Sequence, residues 1–135
     1  MGAPSVAGFR VQHAAKGDVL SDGEVYTTSG TGAAQKVLVF PSSYTYFRTL
    51  PVRTGTGVWS VALRESVYKV LHIDVTPLTT AANNVGVAIQ PTTTDSAGRL
   101  VINWTFTTIG TNTPADILSA QKFCVYFVGS LASIA

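Results

Sequence analysis

Alternation of apolar and polar residues at period two dominates the chain. Trp59, Val61 and Leu63 share one side of an extended backbone. After the polar break Arg64-Glu65-Ser66, Leu71, Ile73 and Val75 again line a single side. The two segments, spanning Gly55 to Val75, predict a half-buried antiparallel hairpin. The cleanest alternation runs from Arg99 to Phe106. Leu100, Ile102, Trp104 and Phe106 share one face there, and Arg99, Val101, Asn103 and Thr105 the other. Shorter strands are predicted at Gln35–Phe40 (stopped by Pro41), around Tyr44–Arg48, at Val85–Ile89 and from Gln121 to Val128. Thr113-Pro-Ala-Asp116 offers a capping residue, a proline at the first helical position and an acid in the first turn. That pattern predicts one helical turn through Ala120.

Breaker-rich stretches at Ser29–Ala33, Pro51–Gly57, Thr76–Asn84 and Pro91–Gly98 predict turns and loops. Residues from Gly8 to Thr28 are polar and glycine-punctuated, with β-like pieces only at Phe9–Val11 and Glu24–Thr27, and read as an arm or edge strands. No repeat or linker divides the chain. The expected fold is all-β: a single domain over 1–135, an antiparallel β-sandwich or jelly roll with one short helical turn, and 1–28 as a possible contact arm.

Composition adds a constraint on the surface. Of the 135 residues, 46% are hydrophobic and only 12% charged, about half the usual charged share of roughly 25%. Much of the exterior must therefore be Thr, Ser, Gly, Ala and Asn, which favours a protein that covers part of itself with partners. A net charge of +2, with basic residues scattered from Arg10 to Lys122, gives no support to nucleic-acid binding. Met1–Val6 has no apolar core of a signal peptide, and no apolar run is long enough for a membrane helix, so neither secretion nor membrane insertion is expected. The lone cysteine, Cys124, lies between Phe123 and Val125 and is expected to be a buried, inert thiol.

Candidate chemistry is sparse. His72 and Asp74, two apart on a strand, leave the same face and could form a general-base pair. Their position opposite the expected core trio Leu71, Ile73 and Val75 favours a solvent-facing pair without a catalytic role. Asp18, Asp22 and Glu24 are a local carboxylate group whose spacing does not fit a calcium loop. They read as a solvated turn, with a calcium ion between subunits as the other reading. Tyr44, Tyr46, Phe47 and Trp59 could form a sugar-stacking platform, although alternation assigns part of the set to the core. Asn103-Trp-Thr105 has the form of a glycosylation sequon but falls within a predicted strand. No catalytic, cofactor or metal-binding residue is expected.

The run Pro51-Val-Arg-Thr-Gly-Thr-Gly-Val-Trp-Ser-Val-Ala-Leu63 and the strand Tyr68–Val75 resemble a segment of small bacteriophage virion proteins. The loop Ala81-Ala-Asn-Asn84, the strand Arg99–Phe106, the Pro114-Ala-Asp116 turn and the closing strand Phe123–Val128 extend the likeness over roughly Pro51 to Gly129. The family is that of capsid decoration, or cementing, proteins. The resemblance implies a non-enzymatic β-sandwich on the head exterior that bridges major capsid protein subunits and acts as a homo-oligomer. It also implies residence on the virion, with the host cytoplasm as the place of assembly. The strand pattern that matches is Val61, Leu63, Leu71, Ile73, Leu100 and Ile102. The terminal segments 1–28 and 129–135 are expected to make the contacts, through Val6, Phe9, Val11, Leu131 and Ile134. Two other readings remain: a tail-fibre or tail-tip module binding a host glycan through Tyr44, Tyr46 and Trp104, and a hydrolase centred on His72 and Asp74.

Overall fold

The computed structural model describes residues 19–38, 45–78 and 85–131. Eight strands form two four-stranded antiparallel sheets: β1 (Val19–Ser29), β2 (Lys36–Leu38), β3 (Val52–Gly55), β4 (Val58–Ala62), β5 (Val67–Leu78), β6 (Val85–Thr94), β7 (Leu100–Thr108) and β8 (Lys122–Leu131). One sheet has the order β2-β1-β8-β5 and the other β3-β4-β7-β6. They pack face to face as a β-sandwich, as the alternation predicts.

The inward faces follow period two. On β8, Phe123, Val125, Phe127 and Leu131 point into the core. On β4 and β7, Trp59, Val61, Ile102, Trp104 and Phe106 meet them from the other sheet. Phe123 sits at the centre, with ring centroids 5.7 Å from Tyr26, 5.6 Å from Trp59, 5.7 Å from Trp104 and 5.4 Å from Phe106. Tilted and edge-on pairs of this kind each add about 0.5–1.5 kcal/mol beyond the area they bury. Edges are guarded against pairing with other chains. Proline occurs within β5 (Pro77) and β6 (Pro91), both at the edges of their sheets, and each also carries register breaks in its pairing.

Several expectations are corrected. β4 and β5 do not form a hairpin. β4 pairs with β3 and β7, whereas β5 pairs with β8 in the opposite sheet, so the turn at Arg64–Ser66 crosses the sandwich. Irregular register between Val70 and His72 takes Leu71 out of the expected trio. Leu71 is 50% exposed, while Val75 is buried and Ile73 half-buried. Residues 19–28 are not an arm: β1 is an interior strand, paired over nine positions with β8. Val52–Gly55 is a strand, not a loop, and β5 and β6 run through the positions read as Thr76–Leu78 loop and Pro91–Thr94 turn. Around Tyr46, the described residues form a single bridge, from Phe47 to Leu63.

The helical turn expected at Thr113–Ala120 is absent. Pro114 bridges Thr107 as an extension of the β4 position beside β7, and the described residues are helical only in a short 3-10 turn at Gly32–Ala34. Phe9, Val11, Tyr44 and the Ala81–Asn84 loop lie outside the described residues.

Candidate functional site

His72 and Asp74 project from the outer face of β5, opposite Val128 and Tyr126 of β8. Both are exposed, and Asp74 accepts a hydrogen bond from the Thr76 hydroxyl at 3.3 Å. A general base acting on a substrate needs a partner that orients it and a surface that excludes water. Among the described residues this strand face shows neither, and the exposure of both side chains agrees with the solvent-facing reading.

The carboxylate group near the N-terminus divides. Asp22 lies in the interior, fully buried, rather than in a solvated turn. Its carboxylate accepts the backbone N–H of Gly23 at 2.8 Å, the Thr45 hydroxyl at 3.0 Å and the Tyr46 N–H at 2.6 Å. It thereby ties residues 45–47 to β1, and Phe47 is seated against Tyr26 and Phe127. Burial, and then the nearby Asp22, push the Tyr46 phenol above its ordinary pKa. Asp18 lies outside the described residues, and among those described no group of three or more His, Cys, Asp or Glu could hold a metal ion.

A second polar anchor has no counterpart among the sequence expectations. The Arg53 guanidinium donates to both oxygens of Asp116, at 2.9 and 3.0 Å, while Asp116 also accepts the Gly57 N–H at 2.8 Å. The guanidinium, followed by the Gly57 N–H, holds the Asp116 carboxyl below the usual range against the opposing effect of burial. Gly57 has φ +69, and a Cβ there would lie 2.5 Å from the Phe106 carbonyl oxygen and 2.7 Å from that of Ala115. The clip thus closes segment 113–116 over the end of β4. Its signal in the sequence is Asp116 itself, whose place after Thr113 and Pro114 reads as a helix start.

The described aromatic candidates belong to the core. Tyr46, Phe47, Trp59 and Trp104 are 7% exposed or less, so none of them offers a ring face to a sugar; Tyr44 lies outside the described residues. Cys124 is half-buried on the outer face of β8 rather than in the core. Burial, with the Asp74 charge as a smaller cause, raises its thiol pKa and keeps it protonated. Asn103 donates its side-chain amide to the Pro91 carbonyl and the Thr93 hydroxyl, which locks the sequon position into the sheet.

The outer faces of the sandwich remain. By register, the β2-β1-β8-β5 sheet presents Val19 and Val25 from β1, Tyr126 and Val128 from β8, and Leu78 from β5. Val19, Val25 and Leu78 are 61%, 47% and 50% exposed, a density of open aliphatic side chains suited to contact. Of the expected contact residues, Leu131 is placed in the core at 1% exposure, opposite Val67, because β8 continues through it; it is not an accessible contact. Val6, Phe9, Val11 and Ile134 lie outside the described residues. Among the described residues no helix is long and apolar enough to cross a membrane. No protein-family model, curated protein or solved structure matches the chain.

Proposed function

We propose that this chain is a non-enzymatic decoration protein of a bacteriophage head, bridging neighbouring major capsid protein subunits on the shell exterior. The observation that supports the reading best is an aliphatic outer sheet face on a sandwich whose own core is already complete without it. Open aliphatic surface is costly for an isolated protein and useful for one that is covered in place. The resemblance of Pro51–Gly129 to decoration proteins supplies the identity of the cover. Bridging needs modest contacts repeated over many copies, so each module can bind weakly while the array binds firmly. A homo-oligomer would strengthen this by presenting several contact faces at once. Of the three residues of the glycan reading, Tyr46 and Trp104 are interior and offer it no support, while Tyr44 lies outside the described residues.

The test is the thermal release of DNA from heads assembled without the protein, with and without the purified chain added back. Addition is expected to bind the shell and raise the release temperature. Failure to bind heads would contradict the proposal.

A further inference from the structure

Charge on the described residues is segregated by residue type. Each described arginine is engaged within the chain. Arg53 pairs with Asp116, Arg99 with Asp95 at 2.9 Å, and Arg48 lies 3.8 Å from Glu65; Arg64 donates to the Thr45 carbonyl at 2.6 Å. The side chains of the three described lysines, Lys36, Lys69 and Lys122, make no hydrogen bond or ion pair among the described residues. All three are exposed, and the register places them on one surface. Lys36 lies opposite Ser29, Lys122 opposite Thr27 and Lys69 opposite Ser130, all on the outer face of the β2-β1-β8-β5 sheet. The strand carboxylate on that face is Asp74. Asp22 and Glu24 belong to the inward register of β1, opposite Phe127 and Val125. The described residues of this face therefore carry three positive charges against one negative, a surplus of two.

Their arrangement is that of a rim. Lys69 lies at one end of the β1–β8 pairing, level with Val19 and Ser130, and Lys36 and Lys122 lie at the other. Between them are Val25, Tyr126 and Val128. Nine paired rows at about 3.4 Å each across β1, β8 and β5 at about 4.8 Å per strand, with the three residues of β2 beside them, give a face of ~500 Å². That is the larger part of the roughly 800 Å² per partner of an ordinary specific interface, in which an apolar centre is ringed by polar groups. Two copies placed face to face would oppose lysine to lysine with one carboxylate each to answer them, so charge disfavours self-association here.

We propose that this face is the docking surface of the chain, and that its partner is a protein surface with an apolar centre and carboxylates at its margin. The proposal rests on the decoration reading, in which that partner surface is the outside of the capsid shell. Lysine ammonium groups at the rim steer approach and fix register, and the valines between them provide the contact area.

The test compares the binding of three proteins to capsid shells assembled without this chain, at pH 7.5 and low salt. The triple variant Lys36→Gln, Lys69→Gln, Lys122→Gln lowers the charge by three. The control Gln90→Glu, Thr92→Glu, Thr94→Glu lowers it equally at exposed positions on β6 of the other sheet. The lysine variant is expected to bind about tenfold more weakly and to lose most of its salt dependence, with the control near the wild type. Val25→Asp is expected to weaken binding more than a hundredfold with an unchanged circular dichroism spectrum. If wild type binds but both face variants bind equally well, the docking surface is overturned and the decoration reading stands. Failure of the wild type to bind shells overturns both. Sedimentation showing a dimer abolished by Val25→Asp, or equal wild-type binding to phosphatidylserine vesicles lost in the lysine variant, would assign the face to a second copy or to a lipid surface instead.

Discussion

Gly57 is the most demanding backbone position of the fold, and substituting it tests the clip at the end of β4. Alanine at φ +69 carries a conformational penalty of about 1 kcal/mol. Its methyl would also lie 2.5 Å from the Phe106 carbonyl oxygen, 2.7 Å from the Ala115 carbonyl oxygen and 2.8 Å from the Ala115 nitrogen. These are backbone atoms on both sides of the residue, so neither can turn away as a side chain would. Overpacking of this kind costs about 1–3 kcal/mol. Together the two effects give about 3 kcal/mol for Gly57→Ala, or roughly 10 °C in Tm for a domain of this size. Gly98 supplies the comparison. It has φ +81, and a methyl added there would meet nothing within 4 Å, so Gly98→Ala should show the conformational penalty alone, about 1 kcal/mol or roughly 3 °C. Differential scanning fluorimetry of the two variants measures the difference. Equal shifts would refute the reasoning, because segment 113–116 could not then be packed against Gly57.

Asp22→Ala removes the acceptor of three hydrogen bonds in the interior and leaves the Tyr46 N–H without it; a loss of about 3 kcal/mol is expected from urea unfolding, against about 1 kcal/mol for Thr45→Val. The Asp116 carboxyl is held low chiefly by Arg53, and that of Asp95 by the Arg99 backbone N–H and guanidinium. Groups whose folded pKa lies below the unfolded value of about 3.9 contribute fully above that pH, and the contribution is lost as pH falls through it toward the folded value. Thermal melts from pH 6 to pH 2.5 should fall over that window, and Asp116→Asn should flatten the fall. Trp59 and Trp104 are both fully buried, so native fluorescence should be blue-shifted and resistant to iodide quenching; ready quenching would contradict the packing of β4 on β7.

Legibility in the sequence depends on whether a residue's partner is local. The inward set Leu100, Ile102, Trp104 and Phe106 can be read directly, since period two is a property of one strand. Pairing is not legible: β4 and β5 are neighbours in sequence, yet β5 finds its partner in β8, as far away as Val67 is from Leu131, and alternation does not say which sheet a strand joins. β1 reads as an arm because three of its inward positions, Asp22, Glu24 and Thr28, are polar. Asp22 is satisfied from residues 45 and 46, and the Thr28 hydroxyl by the carbonyls of Leu118 and Gln121 at 2.8 and 3.0 Å. Asp116 looks like a helix start because its partners, Arg53 and Gly57, lie far back in the chain. The lysine rim is hidden for the same reason. Lys36, Lys69 and Lys122 are scattered in sequence and gather only through sheet register.

The central claim is that this chain is a component of the virion head, and counting it there tests that claim most directly. Quantitative mass spectrometry of purified virions is expected to find it in a copy number comparable to that of the major capsid protein. Its absence from the particle would contradict the account.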